Sequence, residues 1–236
     1  MSVPPVPPPP TGAAPVRTST GVFVCLEGGD GGGKSTQSAL LVERLRSEGY
    51  EAVPTFEPGD TAVGRELRRI VLDPATGDLA ARTEALLYAA DKAEHVERVV
   101  LPALGRGAVV VTDRYVDSTL AYQGAGRVLG GALAGLEQVA RWATRGLRPH
   151  LTVVLDVPPA AGLGRLEGRD RIEAESAEFH ERARQAFLAL AAQDPAHYLV
   201  VDARGTREEI AATVWARVAP LLAQAARAAR TVGEGA

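Results

Sequence analysis

The chain has 236 residues, 46% apolar and 23% charged, which suits one domain around a single buried core. A formal net charge of −3 excludes a broad basic field, so any affinity for polyanions has to come from a local site rather than from nucleic-acid binding. No apolar run approaches membrane-spanning length, no signal-like segment opens the chain, and the one cysteine, Cys25, has no internal partner, so a cytoplasmic protein without membrane partners is expected.

Taken in chain order, residues 1–20 are rich in Pro, Ser, Thr and Gly and read as a disordered leader. Val22–Leu26 is a continuous apolar run, as expected of a parallel strand buried on both faces. Lys34–Ser47 carries Leu40, Leu41 and Leu45 at helical spacing, and Gly49 ends it. Glu51–Phe56 reads as a strand and Thr61–Leu72 as a short helix. Arg82–Leu104 reads as one long helix burying Leu86, Leu87, Ala90, Val96 and Val99. Ala108–Thr112 is a β-branched strand, followed by helical pattern through Leu120 and again over Leu133–Trp142. Leu151–Val157 is a strand stopped by Pro158-Pro159; Phe179–Leu190 is helical, Tyr198–Val201 a strand and Glu208–Leu222 a closing helix. The alternation predicts an α/β fold with a mainly parallel, five-stranded sheet and helices on both faces. The domain is expected over 21–225, with a mobile lid at about 162–174 and a disordered tail over 226–236.

The first strand runs into Gly28-Gly29-Asp30-Gly31-Gly32-Gly33-Lys34-Ser35-Thr36, a P-loop in its strand–loop–helix setting. Glycines allow backbone N–H groups to face phosphate oxygens, and the positive end of the following helix points at the same anion. Lys34 is expected at the β/γ-phosphates and Ser35 at Mg²⁺. All but two of the 26 basic residues are arginine, the exceptions being Lys34 and Lys92, so a lysine at the P-loop position is not an accident of composition. The chain has no asparagine, which rules out guanine reading by Asn-Lys-x-Asp and the asparagine that protein kinases place on Mg²⁺. Two further clusters, Glu57-Pro58-Gly59-Asp60-Thr61 and Asp113-Arg114-Tyr115 with Ser118, Thr119, Tyr122 and Gln123 beyond it, follow predicted strands at the edge where open α/β sheets bind ligands.

With the segments LLYAADKAEH (Leu86–His95), DRYVDSTLAYQG (Asp113–Gly124) and Asp170-Arg171-Ile172-Glu173, this ordered set resembles the thymidylate kinases over roughly Gly21 to Leu222. The resemblance implies a P-loop nucleoside monophosphate kinase fold, ATP and dTMP as substrates, Mg²⁺ as cofactor and a homodimer. It implies that Arg114 clamps the acceptor 5′-phosphate, a task suited to a planar fork. It implies that Asp30 meets the 3′-hydroxyl, Tyr122 the 2′ face of the sugar and Tyr88 the face of thymine. Thr119 and Gln123 match positions at the thymine edge, Ser118 lies beside them, and Glu57 and Arg68 match the acceptor side. Asp113 is expected in the outer shell of the metal or orienting Arg114.

Three departures from the family pattern carry expectations of their own. Lys92 stands where an arginine usually faces thymine O4, and lysine lacks the fork. Phe56 stands where many relatives have arginine. Gly31 occupies a position that in some relatives holds a P-loop arginine, so the charge on the transferring phosphoryl has to be met from the lid, by Arg165 and Arg169, with Arg171 in the Asp-Arg-x-Glu signature. The nearest alternative is another nucleoside monophosphate or a deoxynucleoside as acceptor; a regulatory GTPase and a scaffold docking through its leader are the more distant ones.

Overall fold

A computed structural model of the chain describes residues 21–127, 133–165 and 170–233. The expected leader over 1–20, residues 166–169 of the lid with Arg169 among them, and the last three positions of the expected tail lie outside the described residues.

The first strand, β1 (Val22–Gly28), is buried along its whole length, and its alternating side chains divide the core in two. Val22, Val24 and Leu26 meet Leu41 and Leu45 of α1 (Lys34–Ser47) and Val214 and Val218 of α9 (Arg207–Gly233). Phe23 and Cys25 meet Val96, Val100, Leu104 and Tyr115 on the other face. Both faces being dry, the strand reads as an unbroken apolar run, each large side chain contributing about 1.5–3 kcal/mol. Burial pushes the Cys25 thiol well up, so it stays protonated.

The sheet is parallel throughout, with strand order β2 (Ala52–Phe56), β3 (Val109–Asp113), β1, β4 (Leu151–Asp156), β5 (Tyr198–Asp202). β1 is central, and its register pairs Leu26 with Asp113 and Gly28 with Leu155. The P-loop therefore leaves the sheet between the ends of β3 and β4, the crevice that open α/β sheets use for ligands.

The helices largely follow the expected order. α2 (Ala62–Leu72) begins at Thr61, whose Oγ1 accepts from the Gly64 N–H at 2.8 Å. The predicted single helix over Arg82–Leu104 is instead α3 (Ala81–His95), a π-helical turn over Val96–Val100 and α4 (Leu101–Gly105). Pro102 has no N–H for the preceding turn, and the wider turn absorbs that loss. Leu86 and Ala90, expected inside, are exposed; the buried residues of α3 are Glu84, Ala85, Ala89, Asp91, Lys92 and His95.

After β3, α5 (Val116–Ser118) passes into a π-helical stretch over Thr119–Gly126, and α6 (Leu133–Ala143) follows. A short helix after β4, α7 (Pro159–Leu163), was not expected: Pro159 sits in its first turn, where a missing N–H costs nothing. α8 (Ala177–Gln193) starts from a Ser176 cap. α9 runs past Leu222 to Gly233; the alanines there favour helix although they give no apolar stripe. Among the described residues no helix is long and apolar enough to cross a membrane.

Candidate active site

The P-loop, the turn after β2, α3, the segment after β3 and the two described arms of the lid line one cavity of about 1150 Å³. At one end lie Asp30, Gly31, Gly32, Gly33, Lys34, Ser35 and Thr36. At the other lie Glu57, Arg68, Tyr88, Lys92, Thr119 and Gln123, with Asp113, Arg114, Ser118, Tyr122 and Arg165 also in the wall. Gly28 and Gly29 stand behind the wall and act through their carbonyls.

Lys34 is buried, and its ammonium donates to Gly28 O at 3.1 Å and Gly29 O at 2.7 Å. Burial, then the nearby Arg114 guanidinium, pull its pKa down, so a phosphate anion beside it relieves an existing electrostatic penalty. Gly33 takes φ 86° at the entry to α1, a left-handed cap that side chains disfavour. Gly31, at φ 72°, is required twice over, because a Cβ there would fall on the carbonyl of Gly162 in α7. That close approach brings the lid onto the P-loop, and Arg165 donates from Nη1 to Gly31 O at 3.1 Å.

Ser35 Oγ donates to Asp113 Oδ2 at 2.6 Å. Two hard oxygens beside a phosphate loop fit Mg²⁺, which takes few protein ligands and completes its octahedron with phosphate oxygens and water. Among the described residues there is no group of three or more His, Cys, Asp or Glu that could hold a metal ion.

Arg114 adopts φ 73°, an uncommon conformation for a residue with a side chain. Its guanidinium pairs with Asp30 Oδ1, donates to Ser118 Oγ at 3.0 Å and to Gly28 O at 3.3 Å, and lies 5.1 Å over the Tyr122 ring. Asp30, rather than Asp113, orients it. The Tyr122 hydroxyl donates to Asp30 Oδ2 at 2.9 Å. Burial raises the Asp30 pKa, but Arg114 and Lys34 outweigh it and hold the carboxyl below its usual range. Lys34 and Arg114 thus stand in a partly dry wall with their charges balanced by Asp30 and Asp113, both cations within the same cradle.

Glu27, which sequence reasoning missed, holds this segment in place. Its Oε1 accepts from the Tyr115 N–H at 2.8 Å and the Ser118 N–H at 3.1 Å, and its Oε2 accepts from Ser118 Oγ at 2.6 Å. Burial, with the Asp117 charge, pushes its pKa up to about 7. A lone acid in the otherwise apolar run before the P-loop was the available signal.

On the acceptor side, Thr119 is buried and its hydroxyl has no partner among the described residues. Leaving such a group unpaired costs about 1–3 kcal/mol, which a bound ligand atom would recover. Arg68 Nη1 donates to Pro58 O at 2.8 Å, and its guanidinium lies 5.9 Å over the Phe56 ring, so Phe56 supports a neighbouring cation. Lys92, expected at the base, lines the cavity and is braced from within: Nζ lies 2.9 Å from Glu57 Oε2, with both side chains buried. Glu57 also binds His95 Nδ1 at 2.7 Å, so it supports Lys92 from behind rather than projecting freely at the acceptor. The Glu57-Pro58 peptide is cis.

Arg171, expected as a catalytic residue of the lid in its Asp-Arg-x-Glu signature, is not in the cavity wall. Its backbone N–H and Nε donate to Leu72 O and Val71 O, and its guanidinium pairs with buried Glu84. A fully buried carboxylate outcompetes solvent for the nearest guanidinium. The residue fastens one lid arm to α2 and α3.

The family model for thymidylate kinase matches residues 26–214 of the chain. The chain is 58% identical over 213 residues to a thymidylate kinase of Clavibacter sepedonicus, covering 89% of this chain and all of that protein. It is 54% identical over 202 residues to one of Cutibacterium acnes, covering 86% and 98%, and 48% identical over 203 residues to one of Deinococcus radiodurans, covering 85% and 97%.

Proposed function

The chain belongs to the thymidylate kinase family, and we infer that it transfers the γ-phosphoryl of ATP to dTMP, giving dTDP and ADP. The observation that carries this reading is the convergence of acceptor-side residues from α3 and the segment after β3 on the same cavity as the P-loop.

The acceptor's 5′-phosphate oxygen is already a nucleophile, so the protein has to align two anions and neutralise them. ATP lies along the P-loop, its β- and γ-phosphates beside Lys34. Ser35 and Asp113 are the residues that would hold Mg²⁺, which would supply neutralising charge to the ATP phosphates. Arg114 orients the acceptor phosphate in line with the γ-phosphorus, while Asp30 and Tyr122 receive the sugar. Tyr88 covers one face of the base; Thr119 and Gln123 meet its edge, and Lys92 and Arg68 close the far wall. The attacking oxygen forms its bond to phosphorus as the bond to the β-bridging oxygen breaks, and Arg165 from the lid meets the charge that spreads over the transferring group.

The protein is assigned to the cytoplasm and to a homodimer. Exposed Leu86 on α3 and Trp142 on α6 give apolar surface for a second copy. A panel of dTMP, dUMP, CMP and deoxythymidine in a coupled assay for ADP release tests the acceptor. ADP release should be fastest with dTMP and negligible with deoxythymidine, which brings no phosphate to Arg114. Fastest release with deoxythymidine or CMP would overturn the reading.

A further inference from the structure

Glu84 is wholly buried in the first turn of α3, and every acceptor site it has is in use. Oε1 accepts from Gln123 Nε2 at 3.0 Å and from Arg127 Nε at 3.1 Å. Oε2 accepts from Arg127 Nη2 at 2.9 Å and from Arg171 Nη2. A carboxylate has about four lone-pair sites, and four N–H donors fill them. Two guanidinium groups on one carboxylate keep it ionised; although burial works the other way, the hydrogen bonds from Arg127, Gln123 and Arg171 hold its pKa below the usual value.

An ionised carboxylate accepts and cannot donate. It therefore decides which end of the Gln123 amide faces it: the nitrogen. Gln123 is itself buried and lines the cavity, and its Oε1 has no partner among the described residues. We propose that Glu84 is a positioning residue for base selection, fixing the Gln123 amide so that its oxygen faces the acceptor base and the site takes a pyrimidine with N–H at ring position 3. This rests on the thymidylate reading above. Thymine and uracil carry that N–H; cytosine presents a lone pair there, which would face the Gln123 oxygen with no proton between them. A site with a fixed acceptor rejects the wrong edge because a buried polar atom is left unpaired.

The test is Glu84→Gln, whose amide offers a donor as well as an acceptor, leaving Gln123 able to turn either way. The ratio of kcat/KM for dTMP to that for dCMP should fall about tenfold or more, with dCMP gaining as dTMP loses. In a Gln123→Ala background the same change should leave the ratio within about twofold, since the group through which Glu84 acts is gone. Arg171→Ala removes the lid contact but keeps Gln123 bound, and should affect both nucleotides alike. An unchanged ratio in Glu84→Gln, or an equal fall in the Gln123→Ala background, overturns the inference and leaves the thymidylate reading standing. Wild-type protein that turned over dCMP as readily as dTMP would overturn both. If Glu84→Gln does not fold, wild-type protein answers the question by NMR. Side-chain amide protons of Gln123 should be slow to exchange without nucleotide and little shifted by dTMP, whereas protection appearing only with dTMP would place the nitrogen at the base and overturn the proposal.

Discussion

Arg165→Ala is expected to lower kcat by roughly 10³-fold or more while changing the KM for ATP little, as befits a cation that meets charge only in the transition state. The expected loss traces to Gly31. Its positive φ and the Gly162 carbonyl at its missing Cβ leave no room for a side chain, so the P-loop cannot supply an arginine of its own at that position. Arg165, exposed at the end of α7 and bonded to the Gly31 carbonyl, stands beside the loop that holds the phosphates. Gly31→Arg should accordingly fail to restore the Arg165→Ala enzyme. Steady-state kinetics with saturating dTMP decides the matter: a loss confined to the KM for ATP would make Arg165 a ground-state binder.

Arg114→Ala is expected to cut kcat/KM for dTMP by roughly 10³-fold, with ATP affinity near its original value. The side chain brings its charge into a partly buried wall where burial works against it, and Asp30 and Asp113 are among the negative groups that keep its pKa well above the usual value. Removing it deletes the phosphate fork and leaves Asp30 as an unpaired anion facing an anionic substrate. Arg114→Lys should recover only a small part, because an ammonium cannot bond two phosphate oxygens while also holding Asp30 and Ser118. Titration with dTMP and separately with ATP checks this, and equal losses of both would point to collapse of the P-loop instead.

Much of the fold was legible because the sheet is buried on both faces. β1 and β3 announce themselves as apolar runs, and the α1 boundaries follow from the P-loop and Gly49. The P-loop and the Asp-Arg-Tyr segment were equally plain, since their glycines and charges interrupt that pattern where ligands bind. α3 was harder. Its leucines suggested an apolar inner stripe, but Glu84, Tyr88, Asp91, Lys92 and His95 recur at the same helical spacing, and four of these five are the buried ones. Charged residues face inward there because they satisfy one another: Lys92 and His95 on Glu57, Asp91 on the Gly59 N–H at 3.0 Å, and Glu84 on Arg127, Arg171 and Gln123. Such pairs span 32 to 87 positions of sequence, so periodicity alone cannot reveal them. Arg171 follows the same logic: its Asp-Arg-x-Glu motif is visible in the sequence, whereas its partner Glu84, 87 positions away, is not.

ATP and dTMP, on this reading of the cavity, lie end to end and are joined at Lys34, Arg165 and Arg114. A single compound tests it: adenosine and deoxythymidine linked 5′ to 5′ through five phosphates, titrated calorimetrically with Mg²⁺ present. One molecule should bind per chain, more tightly than either nucleotide, displaced by ATP and by dTMP alike, and weakened by Arg114→Ala. Displacement by ATP alone, with affinity indifferent to Arg114, would contradict it.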